Sequence, residues 1–363
     1  MTAISDEIRK LGVITSPADS SMVSLVIRLA KLTGFNVEPL EIEHLSSLSD
    51  VDALVIIGTD RVLLDALQVL GEKIKPILGI SPPEYVSFLM PVSFNEIDRC
   101  LSALAKKQYK IVKYTRIKGK VDQKEVVYAL NEIAIFSSKS AILIEYELLI
   151  NGEHVWRDRS DGIIVATPVG STAYAFSAGG PIIMENTPVL EIVPVNSLDP
   201  LKKPLVIKDT SKIVIRDISS RHPCEIIADG CKRVKVKKKV EITKAKTPVP
   251  VIKITATSIT KESLEKKYAL IKEIQEIPPS AKYILKVLEA EGPLSVKEIA
   301  EKTLLSPRTV RYSLALLIKR GLVKKLVDLR DTRQTYYEAV TSPWKNEVKS
   351  IREKLEHFKL NSR

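Results

Sequence analysis

The chain has 363 residues, 45% hydrophobic, 28% charged and 5% aromatic, with a formal net charge of +12. That length allows two or three domains with ordinary buried cores; no apolar run approaches the ~20 residues that span a bilayer, and Met1–Leu11 is too charged for a signal-peptide core, so a cytoplasmic protein without membrane contact is expected. The three cysteines, Cys100, Cys224 and Cys231, form no C-x-x-C pair, so neither a disulfide framework nor a zinc ribbon is suggested, and with His222 they are read as ordinary residues: no metal is expected.

In chain order, LGVIT (Leu11–Thr15) predicts a strand, Met22, Val26, Leu29 and Leu32 mark one face of a helix, and Phe35–Val37 a short strand. ALVIIG (Ala53–Gly58), a helical stretch from about Leu63 to Leu70 and then PILGI continue the alternation, which points to an α/β domain with a parallel sheet over residues 1–108. Residues 109–257 carry short runs such as VVYAL, AILIEYELLI, LVIK, KIVIR and VKVKKKVEI between turn signals, and predict a β-rich domain. Leu264, Tyr268, Ile271 and Ile274 then share one face of a connecting helix over 258–279, closed by Pro278-Pro279.

Residues 280–341 predict three helices and a two-stranded wing. SAKYILKVLEAEG ends at Gly292-Pro293, Ser295-Val296-Lys297-Glu298 is a capping box for a second helix, and Ser306-Pro307 opens a third with Val310, Leu314, Leu317 and Ile318 facing inward. Its exposed Arg308, Thr309, Arg311 and Tyr312 are types that bond guanine edges and phosphates, and Arg330 and Arg333 sit in the turn between LVKKLVDL and QTYYEAV. This segment resembles winged helix-turn-helix regulators, which implies double-stranded DNA as a partner. The charge agrees with that: residues 261–363 hold 22 Lys+Arg against 14 Asp+Glu, so eight of the twelve excess positive charges lie there. Residues 342–363 predict a last helix, with Ser342 as N-cap and Trp344, Val348, Ile351, Leu355 and Phe358 along one seam, for packing or for a dimer.

The richest stretch is DGIIVATPVGSTAYAFSAGGPII, Asp161 to Ile183. A short buried strand leads into Pro168-Val169-Gly170-Ser171-Thr172, a turn of small residues where backbone N–H groups and hydroxyls can approach a ligand, and Tyr174 adds an aromatic face. On residues alone this suits a nucleotide, and it also suits an ordinary turn before a helix.

Together with Asn131-Glu132 upstream and Pro204-Leu205-Val206-Ile207 downstream, the stretch resembles the NAD kinase family over roughly Leu11 to Lys244. The resemblance implies an α/β N-terminal domain joined to a β-rich C-terminal domain, NAD or NADP held between them, and a homodimer or homotetramer. It implies that Asn131 and Glu132 contact the ribose and phosphate region, that Thr172, Ala173, Tyr174 and Ser177 surround the adenine, that Asp161 lies near the nicotinamide end, and that Asp229 lies near the active site. Val169 replaces the family's usual Thr or Ser.

Two family elements depart. The GGDGT loop that cradles the ATP phosphates is here Gly58-Thr59-Asp60-Arg61-Val62, and the GINxGxLGFL element is Gly79 to Leu89 without its Asn and later glycines. Thr59 and Arg61 add Cβ atoms where the backbone must approach phosphate, and Val62 removes a hydroxyl. Asp60 is kept, able to bond a ribose hydroxyl or simply to cap a helix, and Arg61 could itself meet a phosphate. The expected function is therefore a dinucleotide-binding transcription regulator on an inactive kinase-like domain; the alternative is a working NAD kinase, using Mg²⁺ and ATP or polyphosphate, with a regulatory winged helix.

Overall fold

The computed structural model describes residues 8–15, 20–42, 45, 51–83, 87–90, 92–139, 141–254, 264–265, 278–319, 322–327 and 335–339. They fall into two compact units, Met1–Leu264 and Glu265–Arg363.

The first unit opens with a parallel sheet whose strands run Asn36–Glu41, Lys10–Thr15, Ala53–Ile57 and Ile77–Ser81 in spatial order, with helices Ser20–Leu32 and Asp60–Leu70 between them in sequence and Ile97–Ala105 after the last. The strands ALVII and ILGIS are buried at every residue, as expected of a sheet covered on both faces. Two strands of the region expected to be β-rich, Lys110–Tyr114 and Val249–Lys253, extend this sheet. An apolar strand pattern records burial but not which sheet the strand joins.

The rest of the unit is a sandwich of two six-stranded sheets. Alternating residues such as Ile117, Val121, Ile215, Ile242, Ile133, Ile135, Ile163 and Ile226 fill the space between them. Strands Gly162–Ala166 and Glu132–Ser137 sit at the centre of one sheet, and the former is buried on both faces because residues 168–183 cover its outer side. The single run expected at VKVKKKVEI is two strands, Lys232–Val236 and Lys239–Lys244, which belong to different sheets. The Asp122 carboxylate fixes the turn between them by accepting the N–H groups of Lys237, Lys238 and Lys239 at 2.8, 2.9 and 2.9 Å.

The second unit has helices Pro279–Glu291, Val296–Thr303 and Pro307–Lys319 and an antiparallel pair, Val323–Val327 with Thr335–Ala339. Its core gathers Ala281, Ile284, Leu288, Leu294, Ile299, Val310, Leu314, Leu317 and Val323. The capping box is present: Ser295 N–H donates to Glu298 Oε2 at 2.7 Å and Glu298 N–H to Ser295 Oγ at 3.3 Å. Pro279 opens the first helix rather than closing the preceding one, since proline at the first helical position loses no hydrogen bond. Ile318, expected inside, is 38% exposed: Val310, Leu314 and Leu317 already fill the inward face. Of the expected connecting helix only Leu264-Glu265, which is helical, and Pro278-Pro279 are described; the tail helix over 342–363, Arg330 and Arg333 lie outside the described residues. Among the described residues no helix is long and apolar enough to cross a membrane.

Candidate functional site

Three neighbouring strands of the sandwich place Glu132, Ala166 and Glu191 in one cross-strand row, Ala134, Ile164 and Val193 in the next, and Phe136, Gly162 and Val195 in a third. Small side chains at Ala134 and Ala166 leave room on this face, which residues 168–183 cover. The cover is pinned at three points. Thr167 Oγ1 donates to the Leu130 carbonyl at 2.5 Å and Thr167 N–H to the Asn131 carbonyl at 2.8 Å. The fully buried Ser171 hydroxyl donates to Pro168 O at 2.7 Å and accepts the Ile183 N–H at 2.9 Å. Gly170 packs so tightly that a Cβ there would stand 2.0 Å from the Asn131 carbonyl oxygen.

Asp229 holds the opposite wall. Its buried carboxylate accepts N–H groups from Leu130 at 2.8 Å, Asn131 at 2.7 Å and Glu132 at 3.1 Å, and its own N–H donates to Glu132 O. Burial pushes this carboxyl up to about 6, against the pull of those three donors and the Arg116 charge. Asp229 and Gly230 both take positive φ, +50° and +64°, which folds the chain back over the Leu130–Glu132 segment. Asp229 therefore positions Asn131 and Glu132.

The expected adenine-side residues sit together at the cover. Thr172 is buried, Ala173 half-buried, Tyr174 43% exposed and Ser177 exposed. The Tyr174 ring stacks on Phe136 with centroids 5.8 Å apart and planes 23° from parallel. Its hydroxyl is shifted upward by burial and by the charges of Asp161 and Glu132, so these two carboxylates flank it electrostatically. Asp161 is fixed by Asn196, whose Nδ2 donates to Oδ2 at 2.8 Å. Asn131 Oδ1 is buried and has no hydrogen-bond partner among the described residues, an acceptor left for a ligand. Val169, where a hydroxyl was expected by resemblance, is buried in the apolar cluster of the α/β sheet.

Asp60 and Arg61 begin the helix Asp60–Leu70, with Thr59 at the N-cap position. Asp60 is thus the first helical residue and not the cap. Its carboxylate accepts the Ser87 hydroxyl and the N–H groups of Phe88 at 2.8 Å and Leu89 at 3.2 Å. Gly58 has φ +146° and a Cβ there would meet Val62 Cγ2 at 2.9 Å, so this glycine is required. Arg61 reaches across to the other half of the unit: Nη1 donates to the Gly230 carbonyl at 3.2 Å while Nε donates to Asp65 at 2.9 Å. A continuous set of contacts therefore runs from Arg61 through Gly230 and Asp229 to Asn131. Cys231 lies in this neighbourhood, its thiol pushed up to about 12 by burial and by Asp65.

In the second unit, Arg308, Arg311 and Tyr312 on the helix Pro307–Lys319 are exposed, Tyr312 at 67%. Thr309 is half-buried, and its N–H donates to Ser306 Oγ at 3.2 Å, so Ser306 caps the helix start. Three functional features escaped the sequence: the pinning by Thr167 and Ser171, the close approach at Gly170, and Glu191. The first two lay inside a stretch already singled out; Glu191 left a visible trace, a lone carboxylate in the apolar strand VLEIVPV.

Residues 130–254 match the ATP-NAD kinase C-terminal domain family, and residues 275–334 match the MarR family. The chain is 32% identical to a NAD kinase of Clostridium perfringens over 200 residues, 54% of this chain and 71% of that protein, and 29% identical to a NAD kinase of Methanopyrus kandleri over 219 residues, 60% and 78%. Among solved structures it is similar to an NAD kinase from Archaeoglobus fulgidus in complex with ATP, at 30% identity and TM-score 0.58 over 68% of this chain and 94% of that one. A yeast NADH kinase complexed with NADH shares the fold at 21% identity and TM-score 0.63, over 73% and 88%. With its sandwich and α/β sheet arranged as described, the chain belongs to the NAD kinase family and carries a MarR-like winged-helix domain after the kinase-type fold.

Proposed function

We propose that this chain is an NAD(P)-binding transcription regulator, in which a kinase-like domain keeps its dinucleotide pocket, has lost efficient use of ATP, and controls a dimeric winged-helix DNA reader in the cytoplasm. The observation that carries this reading is the Gly58–Val62 loop. Phosphoryl transfer needs positioned amides and cations around a highly charged triphosphate. Here Thr59 and Arg61 carry side chains where the cradle needs glycine, and the Arg61 guanidinium is committed to Asp65 and Gly230.

The pocket, by contrast, suits a dinucleotide. Asn131 offers a buried acceptor and Tyr174 an exposed ring face, and Thr172 and Ser177 place hydroxyls beside it. Asn131 and Glu132 hold the ribose and phosphates, Thr172, Ala173, Tyr174 and Ser177 the adenine, and Asp161 the nicotinamide end. Asp60 anchors residues 87–89 and turns a remaining lone pair toward a ribose hydroxyl. On DNA, Arg308, Thr309, Arg311 and Tyr312 enter the major groove, and Arg330 and Arg333 reach from the wing. Two recognition helices read adjacent half-sites only when ~34–36 Å apart, so a dinucleotide that shifts subunit placement in a homodimer or homotetramer changes DNA affinity.

A second reading, an active NAD kinase using Mg²⁺ and ATP or polyphosphate, is favoured by the retained Asp60. An assay of NADP formation from NAD separates the two. The regulator reading expects dinucleotide binding without turnover above background; turnover that Asp60→Asn abolishes would overturn it.

A further inference from the structure

Glu191 lies in the middle of the strand Val189–Val195, fully buried, and neither carboxyl oxygen has a hydrogen-bond partner among the described residues. Its side chain points to the pocket face of the sheet, in the same row as Ala166 and Glu132. The end of the covering turn rests on it. A Cβ built on Gly180 would stand 2.9 Å from Glu191 Oε2 and 2.9 Å from the Ala175 carbonyl oxygen, and Gly180 N–H closes the turn by donating to that carbonyl at 2.9 Å.

Among the described residues no charge pairs with this carboxyl. Its strand neighbours are Ala166 on one side and Val206 on the other. Above it, Ala175 to Gly180 contributes no ionisable side chain; Tyr174 stands at the head of that turn, and Glu132 lies two strands away on the same face. An ionised carboxylate in such a place has lost its water and gained nothing in return, whereas a neutral acid fits.

We propose that Glu191 acts as an uncharged carboxylic acid that positions the Tyr174–Gly180 turn of the dinucleotide pocket, and that its ionisation releases the turn. The inference rests, for its ligand consequence, on the reading that this turn holds a dinucleotide. Burial alone pushes the acid up to about 7 with the turn closed; once the turn opens and water enters, it ionises near its ordinary 4.5. Between those values opening releases a proton, so the opening constant rises about tenfold per pH unit. Below them both forms are protonated, above them both are ionised, and the dependence ends. The turn is therefore tightest in acid, loosens as pH rises from about 4.5 to 7, and stays loose above that.

Amide hydrogen exchange at Gly180 in the full-length, ligand-free protein tests this from pH 5 to 8, with each rate corrected for intrinsic exchange. The wild type is expected to lose protection about tenfold per pH unit up to about 7 and then level off, while Glu191→Gln and Glu191→Leu show no pH dependence. PH-independent protection in the wild type, or the same dependence in the Gln variant, would overturn the proposal. A parallel titration with NADH at pH 5.5 and 7.5 expects at least threefold weaker binding at the higher pH in the wild type and equal binding in Glu191→Gln. Exchange behaving as expected with no NADH bound at either pH would uphold the role of Glu191 in the turn and sink the dinucleotide reading instead.

Discussion

The Asp229 carboxylate accepts the Asn131 N–H at 2.7 Å although 98 residues separate the two in sequence. Because Leu130 and Glu132 donate to the same carboxylate, Asp229→Ala strands three N–H groups at once, those of Leu130 and Glu132 buried and that of Asn131 partly so. Each unsatisfied group costs ~1–3 kcal/mol, so a loss of about 4 kcal/mol in denaturant unfolding is expected, with NADH binding abolished. Asp229→Asn, which keeps one acceptor oxygen and tolerates the positive φ, is expected to lose about half as much.

Gly170→Ala tests the close approach beneath the turn. The new methyl would stand 2.0 Å from the Asn131 carbonyl oxygen, which is backbone and cannot rotate away. Forced repacking of this kind costs ~1–3 kcal/mol or more, and dinucleotide affinity is expected to fall at least tenfold because Asn131 itself must move. A titration with NADH on the folded variant checks it.

The account of the phosphate loop predicts a gain. Replacing Thr59 and Arg61 by Gly and Val62 by Thr removes both intruding side chains and frees Gly230 from Arg61. NADP formation from NAD and ATP is expected to rise at least tenfold over the unmodified chain. An unchanged rate would mean that the missing elements after Gly79 limit ATP use as well.

How much of this was legible beforehand depended on whether a feature was local. The ALVII strand, the helix after it, the Ser295–Glu298 box and the Ser306-Pro307 helix start are set by neighbouring residues, and the structure has them where the pattern put them. The placement of Val249–Lys253 beside Ile77–Ser81, the Arg61–Gly230 contact and the role of Asp229 depend on partners distant in sequence, which no period reveals. Glu191 is the intermediate case: one charged residue in an apolar strand is visible, but that its neighbours are Ala166, Val206 and Gly180 is not.

Lys253 and Glu185, both buried, form an ion pair at 3.8 Å between the last residue of the α/β sheet strand and the segment following the pocket turn. Lys253→Met removes this ion pair and the contact of Lys253 with the Tyr114 ring, and is expected to lower the unfolding free energy measured in denaturant.

Arg308 and Arg311 stand on the exposed side of the helix Pro307–Lys319. Replacing each by Ala is expected to weaken binding to a selected DNA site, and to lower the slope of log K against log salt by about 0.9 for every phosphate contact removed. A contact to a base edge instead relaxes preference at one position by ~1–3 kcal/mol.

The central claim is that dinucleotide and DNA are linked through one chain. The most direct measurement is a titration of the protein with NAD, NADH, NADP and NADPH, in the absence and presence of a duplex selected from a random library, together with the DNA affinity with and without each dinucleotide. The account predicts that at least one dinucleotide binds with a different affinity when DNA is present, and that it changes DNA affinity by the same factor. Equal dinucleotide affinities with and without bound DNA would contradict it.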